Sequence, residues 1–202
     1  MKVFLTARRL KPGAWEDFRR AWEPDEIPAG LTRAYHLRNP NDPDEIISFG
    51  LFEDDSAAIA HLRESDAERR RQERMAQHVA EVLAEGVYDV RYELTGRPTG
   101  SQTAVPLTQR FLKPGSHDEY QRMMMETFAD QDPPPGTVRV LAMTNGDELI
   151  QLGIIRSDDL EAGRAAARPG YEQMLRTIEP FIDRVGLDAT YELVEELALA
   201  PA

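Results

Sequence analysis

The stretch Leu5-Thr6-Ala7-Arg8-Arg9-Leu10-Lys11-Pro12-Gly13 occurs a second time, as Leu107-Thr108-Gln109-Arg110-Phe111-Leu112-Lys113-Pro114-Gly115. Two unrelated amphipathic strands would share hydrophobic alternation, but not an arginine and a Lys-Pro-Gly turn at matched positions. A repeat of this length decides the fold, because each copy must build the same structural unit. The sequence therefore predicts two copies of one unit in tandem.

Three further blocks match in the same order: 30–33 with 136–139, 44–50 with 147–153, and 92–94 with 191–193. Residues 96–102 are rich in turn-forming residues and have no apolar periodicity, which is typical of a linker. We therefore place the first repeat at 1–95, the linker at 96–102 and the second repeat at 103–202.

Each repeat is expected to have the element order βαββαβ. Strand-like patterns occur at 2–9, 31–38 and 45–52, and a first helix carries aromatic residues on one face at Trp15, Phe18 and Trp22. A second helix, restarted by a capping box at Ser65, is expected to carry an apolar stripe: Met75, Val79, Val82 and Leu83. The closing strand is predicted at 87–94. In the second repeat the corresponding helix and strand are predicted at 171–185 and 187–194.

Composition excludes several classes of function. With a formal net charge of −12 and a pI of about 4.8, the chain has no surplus of Lys and Arg for binding phosphates, so we expect no nucleic-acid partner. The absence of cysteine excludes disulfides, thiolate metal sites and cysteine nucleophiles. Since no apolar stretch is long enough for a bilayer span or a signal peptide, we expect a cytoplasmic protein without a membrane partner.

The quoted strand and turn, the hairpin segment 49–54 and the closing Tyr-Glu-Leu strand resemble the dimeric α+β barrel superfamily, close to the antibiotic-biosynthesis-monooxygenase-like (ABM-like) proteins. The likeness covers nearly the whole chain twice, and it concerns the fold rather than a catalytic signature. It implies the α+β class, with two ferredoxin-like repeats forming an intrachain dimeric barrel. Whether this pseudo-dimer pairs again into a homo-oligomer stays open. The superfamily includes cofactor-free monooxygenases of aromatic polyketides, haem-degrading enzymes, haem-binding chlorite dismutases and many members of unknown role.

Strand alternation divides the side chains into two sets. We expect the apolar set to face the helices and the polar set to line an interior chamber. The polar set comprises Thr6, Arg8, Arg33, Tyr35, Ser48, Asp89, Arg91 and Glu93, and in the second repeat Thr108, Arg110, Arg139, Gln151, Asp188 and Glu192. The candidate ligand-binding residues are Arg8, Arg33, Tyr35, His36, Glu93, Arg110, Arg139 and Glu192. His36 is expected under the helices, and it enters the chamber only if the two faces are reversed.

Two interpretations of these charges stay open. Arginines can bind a carboxylate or enolate oxygen bidentately, and a buried glutamate can act as a base with a raised pKa. Alternatively, the same charges form ion pairs between the two repeats, which is the ordinary way to tolerate partial burial. We favour the ion pairs.

The four histidines do not form a metal site, because no two have ligand spacing. His36 has Ala142 as its counterpart and is expected to be a core residue. His78 could be the helix-borne axial ligand that the resemblance to haem proteins implies, although the charged stretch 67–74 before it instead indicates a solvated helix face. His61 and His117 are expected to be exposed. We expect no metal and no cofactor.

Three functions remain open from the sequence. The first is a cofactor-independent monooxygenase acting on an aromatic or acidic metabolite. The second is a noncatalytic ligand-binding or stress-associated barrel, since no catalytic cluster is recognisable. The third is a haem-binding protein.

Overall fold

The computed structural model of the chain describes residues 1–24, 27–53, 59, 64–128 and 132–198, without the side chains of 166 and 167. Its strands are β1 Lys2–Leu10, β2 Leu31–Arg38, β3 Glu45–Phe52, β4 Val79–Thr95, β5 Gln102–Leu112, β6 Thr137–Asn145, β7 Glu148–Ser157 and β8 Ile182–Ala198. Its helices are α1 Trp15–Trp22, α2 Asp66–Ala76, α3 His117–Phe128 and α4 Leu160–Ile178, and a 3₁₀ turn at Glu179–Phe181 follows α4. The predicted order βαββαβ therefore occurs twice, and the α+β class is confirmed.

The Lys-Pro-Gly turns have the same local geometry in both repeats. Gly13 has φ 74° and Gly115 has φ 79°, in the left-handed region that a residue with a Cβ rarely adopts. Lys11 and Lys113 each donate from Nζ to a backbone carbonyl that lies just before the closing strand, at 2.7 and 2.6 Å. The sequence motif thus ends the first strand of each repeat and anchors the turn to the end of its second helical region.

Two compact units make up the chain: Met1–Asp89 with Glu192–Ala202, and Val90–Tyr191. In the first unit the strand order is β4-β1-β3-β2-β8, and each neighbouring pair is antiparallel. In the second unit the order is β8-β5-β7-β6-β4. Each of the long strands β4 and β8 gives one end to each unit, so the compact units divide the chain elsewhere than the sequence repeats do.

The predicted extent of both second helices is wrong. Val79, Val82 and Leu83 lie in β4, and α4 spans Leu160–Ile178 rather than 171–185. Two register shifts in the pairing of β4 with β1 break the two-residue period, so this segment shows a mixed periodicity in the sequence. In the second repeat, the helix already begins after Asp159, whose carboxylate accepts a hydrogen bond from the Ala162 N–H.

Helices cover one face of each sheet. In the first unit, a cluster joins α1 and α2 to the strands: Leu10, Trp15, Phe18, Ala21, Trp22, Ala34, Ile46 and Met75. In the second unit, the corresponding buried cluster contains Leu112, Tyr120, Leu149 and Ile178. Burial of these side chains is the main stabilising contribution to each helix and sheet pair. None of the helices in the described ranges combines the length and apolar character that a membrane span needs.

The predicted assignment of strand faces is wrong for β1 and β3. Because Leu10 and Ile46 pack under the helices, alternation places Thr6, Arg8 and Ser48 on that same covered face. The opposite face carries the apolar set: Val3, Leu5, Ala7, Ile47, Phe49 and Leu51. Both faces are buried, and hydrophobicity therefore did not distinguish them.

The same reversal occurs in the second repeat, where Thr108, Arg110 and Gln151 share the covered face with Leu112 and Leu149. On β2 the assignment is correct. His36 lies under α1, whereas Tyr35 is on the other face and stacks on Phe49 with ring centroids 4.6 Å apart.

Candidate functional site

A cleft of about 60 Å³ lies in the first unit between the helices and the sheet. The polar residues that line the cleft are Thr6, Arg8, Ser48, Arg71 and Gln72. Its apolar lining residues include Phe4, Trp22, Leu31, Phe52 and Met75. A cleft with an apolar body and a few convergent polar groups is typical of a small-molecule site.

Arg8 is the main cation of this cleft. Its side chain is 5% exposed. Nη1 donates to Thr6 Oγ1 at 2.5 Å, and Nη2 donates to Gln72 Oε1 at 3.3 Å. The nearby carboxylate of Glu85 is 40% exposed, and its Oε2 lies 3.8 Å from Nη2. Burial lowers the pKa of Arg8, while the charge of Glu85 opposes this shift. A buried guanidinium with such a distant counter-ion favours an anion in the cleft.

The second cation, Arg71, is fully paired. Its Nε and Nη2 donate to the two carboxylate oxygens of Glu68, both at 2.8 Å, and Nη1 donates to the Trp22 carbonyl at 3.1 Å. Glu68 also accepts from Gln72 Nε2 at 2.6 Å. The predicted solvated face of this helix is therefore wrong at these positions, since the Glu68 and Arg71 side chains are only 8% and 12% exposed. The network holds Gln72 toward Arg8.

His36 is fully buried beside the cleft. Three aromatic rings of α1 surround it, and their centroids lie 5.4 Å (Trp15), 5.9 Å (Phe18) and 4.4 Å (Trp22) from its own. Its Nε2 is 2.9 Å from Ser48 Oγ, whereas Nδ1 has no hydrogen-bond partner in the described part of the chain. Burial, followed by the positive charges of nearby arginines, lowers the pKa of His36 to about 3. The imidazole is therefore neutral near pH 7.

Several predicted site residues form ion pairs instead. Arg33 Nη1 is 2.9 Å from Glu196 Oε1, and Arg139 Nε is 3.1 Å from Glu93 Oε1. Each pair joins a residue of one repeat to a residue of the other, as the ion-pair interpretation expected. Glu192 is exposed and lies opposite Arg38 in the β2–β8 pairing. Of the candidate residues, the structure brings only Arg8 and His36 to the cleft region.

The equivalent arginine of the second repeat has different hydrogen-bond partners. Arg110 donates to Thr108 Oγ1 at 2.5 Å, Gln151 Oε1 at 3.2 Å and Tyr171 Oη at 3.3 Å. The cavity in this unit is about 20 Å³ and does not include Arg110 in its lining. Tyr120 lines this cavity, and burial raises the pKa of its hydroxyl.

The other histidines do not form a site. His78 lies in the turn after α2, where its carbonyl accepts the Lys11 N–H, so it is not helix-borne as the haem interpretation required. His117 begins α3, with Nδ1 3.3 Å from Asp118 Oδ1, and His61 lies outside the described residues. Among the residues that the structure describes, no three His, Asp or Glu side chains form a group that could hold a metal ion.

No protein-family model and no curated protein matches this sequence. Solved structures do match its fold. A proposed monooxygenase from Fusobacterium nucleatum is 12% identical with a TM-score of 0.75, covering 98% of this chain and 94% of its own. An anthrone oxidase-like protein is 12% identical with a TM-score of 0.72, at 100% and 96% coverage. A ferredoxin-fold protein from Listeria monocytogenes, related to antibiotic biosynthesis monooxygenases, is 10% identical with a TM-score of 0.55, at 96% and 94% coverage.

These likenesses confirm, at the level of the fold, the resemblance to ABM-like proteins that the sequence predicted. They extend over nearly the whole chain, so both repeats share in it. At this identity a shared fold does not carry a shared reaction.

Proposed function

We propose that this protein binds a small aromatic or acidic metabolite in the first-unit cleft and oxidises it as a cofactor-independent monooxygenase. The observation that carries the proposal is Arg8, a buried guanidinium that faces a partly apolar cleft with its nearest counter-ion 3.8 Å away. An anionic oxygen on the ligand would give Arg8 a counter-ion at hydrogen-bond distance, closer than Glu85. The fold of an anthrone oxidase-like protein supports an oxygenase, because the same architecture occurs there.

The cleft volume limits the ligand. At about 10 to 15 Å³ for each water, 60 Å³ gives room for roughly five waters, which is about the space of a single aromatic ring. A hydroquinone or catechol bound as its monoanion would place the charged oxygen at Arg8 and the ring among the apolar lining residues. In the proposed reaction the electron-rich substrate reduces O₂ itself: one oxygen atom enters the ring, the second leaves as water, and the quinol becomes a hydroxyquinone.

The second candidate is a noncatalytic binding protein. The neutral His36 favours it, because a base with a pKa of about 3 is a poor proton acceptor near pH 7. A haem protein has less support. Three aromatic rings surround His36, and His78 lies in a turn rather than on the helix that the haem interpretation requires. Haem addition, followed by a search for a Soret band, tests that third function.

Oxygen uptake with hydroquinone and catechol separates the first two candidates. We expect uptake by the wild type and its loss in Arg8→Gln. The matched control is Arg110→Gln, which removes the equivalent buried guanidinium of the second repeat, a residue that does not line the first-unit cleft. Circular dichroism of both variants checks that they are folded.

Ligand binding without turnover would support the noncatalytic protein. Equal loss of binding in both folded variants, or no binding to the wild type, would contradict a site at Arg8. The binding assay is isothermal titration calorimetry with benzoate, because it carries only the ring and the anion that the proposal requires.

A further inference from the structure

Ser48 connects the cleft to the buried histidine. Ser48 lines the cleft, and its Oγ lies 2.9 Å from His36 Nε2. It pairs directly across the sheet with Thr6, whose Oγ1 accepts from Arg8 Nη1. Directly opposite residues in an antiparallel sheet have Cβ atoms about 5 Å apart, so Ser48 lies beside the Thr6 hydroxyl to which Arg8 donates.

The surroundings of His36 decide which partner holds the proton in the Ser48–His36 hydrogen bond. A neutral imidazole carries one N–H, at Nδ1 or at Nε2. Nδ1 has no hydrogen-bond partner among the described residues, and three aromatic rings pack around the imidazole. An N–H can make a weak hydrogen bond to an aromatic face, whereas a lone pair cannot. The N–H is therefore better placed at Nδ1. Nε2 is then an acceptor, and the Ser48 hydroxyl must donate to it.

A hydroxyl that donates to His36 has only lone pairs left for the cleft. We infer that the cleft selects aromatic anions that also carry a hydroxyl group: Arg8 binds the anion, and Ser48 Oγ accepts the ligand hydroxyl. His36 is the positioning residue that fixes the direction of the Ser48 hydrogen bond. This inference rests on the proposed function, and it adds a specificity rule that the charge of Arg8 alone does not give.

The second repeat lacks both residues of the Ser48–His36 hydrogen bond. Its counterparts of His36 and Ser48 are Ala142 and Gln151, and the Gln151 carbonyl oxygen accepts from Arg110 instead. An acceptor fixed by a buried histidine is therefore a property of the first repeat, where the larger cavity lies.

The binding test compares 3-hydroxybenzoate with 3-fluorobenzoate, which has a similar size and charge but no donor. One added hydrogen bond is expected to make 3-hydroxybenzoate bind about fivefold more tightly to the wild type. Ser48→Ala should remove that preference while 3-fluorobenzoate affinity stays within about twofold. Equal affinities for both ligands in the wild type, with binding still dependent on Arg8, would overturn the specificity rule alone. If neither ligand binds, or if Arg8→Gln binds them unchanged, the proposed function fails as well.

A direct readout for His36 is ¹⁵N NMR of the imidazole in the unmodified protein. We expect the shift of a protonated nitrogen at Nδ1 and of an unprotonated nitrogen at Nε2, and the reverse pattern would contradict the inference. His36→Ala should reduce the preference for the hydroxyl ligand, whereas His36→Gln, whose amide oxygen can accept from Ser48, should restore part of it. The tautomer measurement decides the matter even if a variant does not fold.

Discussion

The two helix and sheet interfaces of this chain have the same architecture and different interiors. In the first unit, Arg8 lines a cleft and donates to Gln72, whereas in the second unit Arg110 donates to Tyr171. Counting from the matched backbone hydrogen bonds of Lys11 and Lys113, Tyr171 stands where the first repeat has Glu68. Both repeats carry the strand arginine, Arg8 or Arg110. They differ in the helix residue to which it donates, and we propose that this residue determines whether the arginine can bind a ligand.

The largest expected difference concerns the buried network of α2. Glu68→Ala leaves Arg71 buried without its bidentate partner, and we expect a loss of about 3 kcal/mol in the free energy of unfolding. The control is Asp66→Ala on the same helix, which breaks an exposed pair with Arg69 and should cost less than about 1 kcal/mol. Urea denaturation measures both. Similar losses in the two variants would show that the network is not buried as described.

A smaller effect is expected from the buried histidine, which the second repeat lacks. His36 has a pKa of about 3 in the folded chain and an ordinary value of 6.5, so the unfolded chain binds its proton first as the pH falls. Stability from this residue is complete above about pH 6.5 and is lost progressively down to about pH 3. Between pH 7 and pH 5 the loss should be about 2 kcal/mol.

The non-titrating variant His36→Gln isolates that contribution, because other groups titrate equally in both proteins. The difference in unfolding free energy between wild type and variant should shrink by about 2 kcal/mol from pH 7 to pH 5. A difference that is independent of pH would mean that His36 titrates normally in the folded state.

Substitutions of the two turn glycines test whether the repeats share the same local backbone geometry. Gly13→Ala and Gly115→Ala each force a Cβ into the left-handed region, and each should destabilise the chain by about 1 to 2 kcal/mol. Thermal unfolding of the two variants, compared with Gly163→Ala inside α4 as a control, measures this. A large inequality between the two turn variants would break the local equivalence of the repeats.

The smallest expected change in the free energy of unfolding comes from exchanging one residue between the repeats. Tyr120 occupies the position of Phe18, and its buried hydroxyl has no hydrogen-bond partner among the described residues. Tyr120→Phe removes that desolvated group and should stabilise the chain by up to about 1 kcal/mol. The reciprocal Phe18→Tyr should destabilise it. A destabilising Tyr120→Phe, measured by urea denaturation, would show that the hydroxyl is bonded in solution.

Much of the fold was predictable because both copies carry the same turn motifs. Three local signals predicted structure that is observed: the Lys-Pro-Gly turns, the aromatic helix face at Trp15 and Phe18, and the two strands at 31–38 and 45–52. The helix ends were not predictable from periodicity, since the register shifts of β4 hide its strand pattern. The capping box at Ser65 was half correct: Ser65 accepts from the Glu68 N–H, but the Glu68 carboxylate binds Arg71 and Gln72.

The site was predictable only in part. Arg8 was a candidate on composition and spacing, but its face was reversed because both sides of the sheet are buried. Glu68 and Gln72 were missed, since a charged run on a helix usually lies in solvent. The available signal was their spacing from Arg71, which places all three on neighbouring turns of one helix. Whether this charged helix face is buried depends on tertiary packing, which a local sequence pattern does not predict.

We propose that the first-unit cleft receives the ligand and that its second-unit counterpart does not. Titration of 3-hydroxybenzoate into ¹⁵N-labelled protein tests it through side-chain signals, because Trp22 and Gln72 line the cleft while Gln151 lies beside Arg110. We predict shifts of the Trp22 indole and Gln72 amide signals, no shift of the Gln151 amide, and loss of the response in Arg8→Gln. Shifts centred on Gln151, or a response that survives in Arg8→Gln, would contradict the account.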